Sequence, residues 1–267
     1  MKQRGVTAAG LGTAVAAAGY RRGALSRSGA IGAAMVGAVT YGAGSWRWSA
    51  PLLAFFAGSS VLSRLERGSK GGQSIAAMTE RGSRRDLAQV LANGGAGTIV
   101  ALGQIVSPHP RLAWAFAGAY AAANSDTWAT EIGALSPTPP RMMLSGRAVP
   151  PGTSGAVTPI GLAGAVTGSA LIGIVAASSL KGPNPARCAL AVTLAGMAGS
   201  LADSLAGATI QAGYRCPACH EPTERRVHGC GTPTILARGY AWCDNERVNA
   251  LCTAIGAAVA VGLAPKG

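Results

Sequence analysis

The sequence predicts an all-α polytopic integral membrane protein of about seven or eight transmembrane helices, packed through small residues. Three observations point there. Hydrophobic residues make up 49% of the 267 positions and charged residues 12%, about half the ~25% charged share usual in soluble domains. The 39 glycines, with abundant alanine, hold the mean hydropathy to +0.30 yet let membrane helices approach closely. Asp and Glu number only ten, and some stand inside or beside apolar runs, where an ionisable side chain is costly and functional by default. The whole chain, 1–267, reads as a single membrane domain, with 211–247 as a cytoplasmic loop.

Uncharged apolar stretches place the spans near 5–20, 29–44, 49–63, 88–106, 112–129, 158–180, 187–210 and 248–264. The first follows a basic Met1 to Gly5 and leads straight into further such runs, so it reads as a retained helix rather than a cleaved leader. Several are shorter than the ~20 residues that cross a bilayer, which leaves their boundaries soft. Basic residues test the order independently. Loops after the first, third, fifth and seventh spans hold Arg21, Arg22 and Arg27; Arg64, Arg67, Lys70, Arg81, Arg84 and Arg85; Arg141 and Arg147; and Arg215, Arg225, Arg226, Arg238 and Arg247. They are most of the 23 Lys and Arg, which puts those loops in the cytoplasm and both termini outside. The net charge of +13 comes from loops without interleaved aromatics, which suits lipid headgroups and phosphates rather than nucleic acid.

Three long loops on the basic side adjoin spans that end in polar residues, and their convergence would make one site. The first runs Arg64 to Leu87 and enters the helix carrying Gln89 and Asn93, four residues apart on one face. Its arginines, Arg85 among them, either hold a phosphate that Asn93 orients or simply anchor the helix.

The second, Thr130 to Val157, follows Asn124-Ser125-Asp126-Thr127-Trp128-Ala129-Thr130-Glu131 and carries Pro151-Gly152-Thr153-Ser154-Gly155. Gly152 and Gly155 can turn backbone N–H groups toward an anion, with hydroxyls from Thr153 and Ser154. Asp126 and Glu131 could bind Mg²⁺ beside them, but at ~100° per residue they lie ~140° apart. Both reach one ion only if the helix breaks; otherwise Glu131 acts elsewhere.

The third, Gln211 to Arg247, follows Asp203, an acid deep in an apolar helix that is either a ligand or a packing residue. Cys216-Pro217-Ala218-Cys219 with His228 and Cys230 has zinc-ligand spacing, although a plain thiol loop fits as well. Asn245 and Asn249 stand four apart where the last span begins, to cap it or line the site.

Together, Gln89 to Gly95, Ser125 to Gly133, Val149 to Gly155, Leu201 to Thr209 with Gln211, and Asn245 to Asn249 resemble the DUF92 family of integral membrane proteins. That family includes transmembrane protein 19 and a plant chloroplast phytyl-phosphate kinase. The resemblance covers essentially the whole chain and implies a polytopic helical fold distantly similar to CTP-dependent lipid kinases. It implies phosphorylation of an isoprenyl monophosphate to the diphosphate. The Cys216 to Cys230 segment is outside the plant enzyme's pattern.

The expected chemistry is transfer from a nucleoside triphosphate bound at the cytoplasmic face. CTP is favoured over ATP because no Gly-x-x-x-x-Gly-Lys-Ser/Thr sequence is present. Asp126, with Asp203 or Glu131, would hold Mg²⁺, while Arg85, Arg141 or Arg147 and the Gly152 to Gly155 backbone meet the phosphoryl charge. The acceptor is a lipid phosphate with its chain along Gly164 and Gly168. The alternative is a membrane transporter or lipid-binding protein using Asp126 and Asp203 as ion or proton sites.

Overall fold

The structure is a computed structural model that describes residues 2–67, 84–180 and 184–265. Lys70 and Arg81 of the first basic loop lie outside the described residues. Among the described residues, eight helices follow the apolar stretches in order: α1 (Lys2–Arg21), α2 (Arg27–Gly44), α3 (Trp46–Arg67), α4 (Leu87–Val106), α5 (Pro110–Gly133), α6 (Pro159–Ser179), α7 (Pro185–Thr209) and α8 (Asn245–Leu263). Their starts are chemically marked. Proline occupies the first turn of α5, α6 and α7, where its missing N–H costs nothing. Thr158, Asn184 and Asp244 accept the amides of Gly161, Arg187 and Arg247 at 3.0 Å, satisfying donors that the helix itself leaves open. Asp86 and Gln89 form a reciprocal capping box on α4.

Helix α5 is the central pillar. Every residue from Ala115 to Ser125 is buried, and α3, α4, α6, α7 and α8 all pack against it. A helix enclosed on all sides has no single apolar stripe. At its first half Trp48, Phe55, Phe116 and Tyr120 cluster, with Trp48–Phe116 and Phe116–Tyr120 ring centroids 4.6 and 4.8 Å apart. Neighbouring helices also approach it closely: a Cβ on Gly118 would lie 2.3 Å from the Gly256 carbonyl of α8, and one on Gly199 of α7 would lie 2.5 Å from the Ala122 Cβ.

Among the described residues, four helices, α4, α6, α7 and α8, are long and apolar enough to cross a membrane. Their outward faces carry Ile99, Ile105, Ile174, Leu190 and Leu194, all exposed, a surface that lipid rather than water would cover.

Among the described residues, loop segments after α1, α3, α5 and α7 share one end of the bundle. Ser26 donates its amide to the Arg85 carbonyl (2.9 Å), and Arg64 donates to the Arg22 carbonyl (3.2 Å). The Ser63 hydroxyl donates to the Glu131 carboxylate at the end of α5. Two loops carry short antiparallel strands. β1 (Arg141–Met142) pairs with β2 (Ala156–Val157), and β3 (Gly213–Arg215) lies between β4 (Pro222–Thr223) and β5 (Ile235–Arg238).

Gly164 and Gly168 do not open a groove for a lipid chain, contrary to the sequence expectation. A Cβ on Gly168 would meet Trp128 at 2.8 Å, and one on Gly164 would meet the Trp128 carbonyl at 2.7 Å. The small residues are spent on close contact with α5.

Candidate functional site

A cleft of about 490 Å³ opens at the loop end between α5, α6 and α7. Asp126 on α5, Asp203 on α7 and Asn245, the first residue of α8, line it together. The position of Asp126 is fixed by its two predecessors. Asn124 donates from Nδ2 to the Gly168 carbonyl (2.7 Å), and Ser125 donates to the Ala165 carbonyl (3.0 Å), locking α5 against α6. Buried polar groups of this kind specify one rotation of a helix, because any other rotation strands them without partners.

The roof of the cleft is the segment Pro151 to Gly155. Gly152 and Gly155 adopt φ +89° and +81°, and Gly155 presses so closely on α7 that a Cβ would lie 2.2 Å from the Ala208 amide nitrogen. Gly155→Ala is therefore expected to cost at least the ~1–2 kcal/mol of a left-handed L-residue, plus the displacement of the roof. Thermal unfolding in detergent, compared with Gly95→Ala, checks this, since a Cβ at Gly95 meets nothing within 4 Å.

The roof is tied down from the third loop. The Ser154 hydroxyl and the Glu224 carboxylate are hydrogen-bonded. Gln211, only 2% exposed, donates from Nε2 to Ser154 Oγ (2.9 Å) and Glu224 Oε1 (3.1 Å). Arg238 donates to the Gly207 carbonyl (2.6 Å) and the Ser154 carbonyl (3.2 Å), joining the roof to the last turn of α7, where carbonyls lack helical partners. Burial lowers the Arg238 guanidinium below its ordinary value, and Glu224 opposes the shift.

Among the described residues, the charged side chains that line the cleft are acidic. Asp126, Asp203 and Glu224 line it, and no Lys, Arg or His does so among the described residues. Arg141 and Arg147 sit instead on the exposed β1 turn, where Arg141 donates to the Gly146 carbonyl (2.9 Å) and the Arg147 carbonyl accepts from Met142 (2.9 Å). Asn249 is buried one turn into α8 and lines neither cavity. The cap of α8 is Asp244, not Asn245.

Glu131 faces away from Asp126, because α5 runs unbroken between them. Its carboxylate meets Ser63 and lies 3.9 Å from Arg85 Nη2. Arg85 also donates to Ser59 (3.0 Å) and Ser63 (3.2 Å). Arg85, Gln89, Asn93 and Thr127 edge a separate groove of about 180 Å³, otherwise walled by residues such as Leu52, Phe55 and Phe56. Asn93 there donates to its own helix, at the Gln89 carbonyl (3.0 Å). The described ends of the three loops thus meet on one face, but the polar residues form two clusters on different flanks of α5.

Cys216, Cys219, His228 and Cys230 form a third cluster, their ligand atoms all within 4.8 Å of one another. The Thr232 hydroxyl and the His228 ring pull the Cys230 thiol down to about 6, and contact with Cys216 pushes Cys219 up to about 11. Three sulfurs so close repel as thiolates, which a cation would relieve.

A family model described as integral membrane protein DUF92 matches residues 10–257. The chain belongs to the DUF92 family of integral membrane proteins. Among relatives, it is 30% identical over 259 residues to Protein PGR of Arabidopsis thaliana, an alignment covering 86% of this chain and 85% of that protein. No solved structure matches. The DUF92 match encloses every residue of the three clusters.

Within this DUF92 chain, sequence reasoning did not single out Glu224 or Arg238. Both belong to two- and four-residue strands or their margins, which carry no periodic signal. Gln211 was visible as the polar residue after Thr209, and the fold explains it as the tie between Ser154 and Glu224.

Proposed function

We propose that the 490 Å³ cleft is the site of a membrane-embedded phosphotransferase that converts an isoprenyl monophosphate to its diphosphate, with CTP as the preferred donor and ATP as the alternative. The observation that carries this reading is the donor set: three carboxylates, two side-chain amides and several hydroxyls line one cleft. Hard oxygen donors of this kind suit Mg²⁺, which characteristically binds through one or two carboxylates plus substrate phosphates. Asp126 and Asp203 are the residues that would hold the ion, and bound there it would neutralise phosphate charge and orient the transferred group.

The protein's own part is positioning. Asn245 and the roof at Gly152, Thr153 and Ser154 line the cleft where a phosphate chain would lie, with Gly155 fixing the roof's path. In the reaction an oxygen of the acceptor monophosphate attacks the γ-phosphorus, the bond to the β–γ bridging oxygen breaks, and the nucleoside diphosphate leaves. A lipid monophosphate is already an ionised nucleophile, so no histidine base is needed.

The acceptor's chain has a route in the same cleft. Helices α6 and α7 converge where Gly173 meets Ala189 and Gly196 meets Ser169. Toward the loops they part, and Leu162, Val166, Met197 and Leu201 line the gap. Leu162, Val166 and Leu201 are exposed, so the apolar side of the cleft would open sideways toward lipid. The loop face, carrying most of the basic residues, is assigned to the cytoplasm, where nucleotide is available.

The test is purified protein in detergent with Mg²⁺, radiolabelled CTP or ATP, and phytyl, geranylgeranyl and longer polyprenyl monophosphates. Label is expected in a lipid diphosphate, and only with metal present. No transfer from either nucleotide, together with cation flux through Asp126 and Asp203 in reconstituted vesicles, would replace the kinase by a transporter. Leu201→Trp is expected to raise the acceptor KM several-fold at little change in that of the nucleotide, measured in the same assay, because it fills the gap between α6 and α7.

A further inference from the structure

We infer that Cys216, Cys219, His228 and Cys230 hold one tetrahedral Zn²⁺, and that this ion folds the segment between α7 and α8 into a clip that seats Glu224 and Arg238 over the cleft. The distances fit. Cys216 Sγ and Cys219 Sγ lie 3.6 and 3.8 Å from Cys230 Sγ, and His228 Nδ1 lies 3.2 Å from Cys219 Sγ and 3.1 Å from Cys230 Sγ. Ligand bonds of ~2.3 Å to sulfur and ~2.0 Å to nitrogen give tetrahedral edges of about 3.5–3.8 Å, so small adjustments admit the ion. A disulfide demands sulfurs at ~2.05 Å and would use two of the three thiols, leaving the third beside the imidazole.

The backbone is shaped for ligation on both sides. His220 returns its amide to the Cys216 carbonyl (2.9 Å) with φ +60°, bringing both sulfurs of the first pair to one side. On the second side Gly231, at φ +84°, donates to the His228 carbonyl (2.8 Å). His228 presents Nδ1 rather than Nε2, as suits a ligand only two positions from Cys230.

The need for an ion follows from the segment's poverty of core. Its strands are two to four residues long, too short to stand alone. Ile235, Leu236, Tyr240 and Trp242 are exposed, while Cys216 is fully buried. A metal at that buried sulfur supplies the folding free energy that apolar burial does not. Its reach to the cleft is short in sequence. β3 leads directly into Cys216, β4 directly precedes Glu224, and Arg238 ends β5, paired with Gly213. The clip's task rests on the cleft reading, but the zinc itself does not, so metal content is measured without any transfer assay.

Full-length protein purified in detergent under reducing conditions is expected to carry one zinc per chain by mass spectrometry, and its cobalt-substituted form to show thiolate-to-metal charge transfer and tetrahedral d–d absorption. Cys216→Ser and Cys230→Ser should lose the metal, whereas Cys188→Ala, in α7 away from the cluster, should keep it. Removing the metal with a chelator should speed tryptic cleavage at Arg225 and Arg226 at least tenfold while helical circular dichroism is unchanged. Absence of zinc and of a cobalt spectrum would overturn the site. Zinc present with cleavage unaffected by its removal would overturn the clip.

Discussion

Asp126→Asn and Asp203→Asn are each expected to lower phosphoryl transfer by at least about a hundredfold, with a smaller change in stability. The substitution keeps the shape and removes the charge, so what is lost is the hold on the divalent cation and the alignment it gives. Loss of one preorganised charge contact at a transition state costs ~10²–10³ in rate. Because both carboxylates line one cleft, the double variant should be little worse than either single one, as for residues acting as a unit. Steady-state rates over a Mg²⁺ titration check this. Glu131→Gln provides the contrast: it faces Arg85 and Ser63 on the other flank of α5, so its effect should fall on stability and not on the Mg²⁺ dependence.

Gly118→Val is expected to cause the largest loss of folded protein. The added carbon atoms have nowhere to go: the first would overlap the Gly256 carbonyl at 2.3 Å and Ala260 at 2.5 Å. Neither a backbone carbonyl nor a packed alanine can swing aside, so α5 and α8 must separate along their length. Overpacking usually costs ~1–3 kcal/mol, and a backbone-to-backbone site belongs at or beyond the upper end. Gly262→Ala, where a Cβ meets nothing within 4 Å, should stay within ~1 kcal/mol of the parent. Thermal unfolding and monodisperse yield in one detergent separate the two.

Much of the fold was legible because each helix is mostly one apolar run with few charges, and each apolar stretch read from the sequence became one helix. The separation of Asp126 from Glu131 was legible too, since helical geometry alone puts them ~140° apart and α5 does not break. What misled was the meaning of glycine. Gly164 and Gly168 marked close approach correctly, but Trp128 occupies the space expected for a ligand. The apolar side of the cleft is instead lined by Leu162, Val166, Met197 and Leu201, residues indistinguishable in sequence from any lipid-facing side chain.

The roof was half legible. The glycines at 152 and 155 announced a turn, and both adopt positive φ, yet the ties from Gln211, Glu224 and Arg238 depend on long-range pairing across more than fifty residues. Local pattern holds no record of such pairing. The same limit explains why arginines were assigned to phosphate: Arg141 and Arg147 are near the cleft in sequence, but the β1 turn keeps them outside its lining.

The central claim is that Asp126 and Asp203 hold one divalent cation in the cleft with the nucleotide's phosphates. Electron paramagnetic resonance of Mn²⁺ added to purified protein tests it most directly, with and without a non-hydrolysable CTP analogue. The expected result is a bound signal that the nucleotide strengthens and that either Asp126→Asn or Asp203→Asn abolishes. Bound Mn²⁺ of unchanged affinity in both variants, or no effect of nucleotide on it, would contradict the claim.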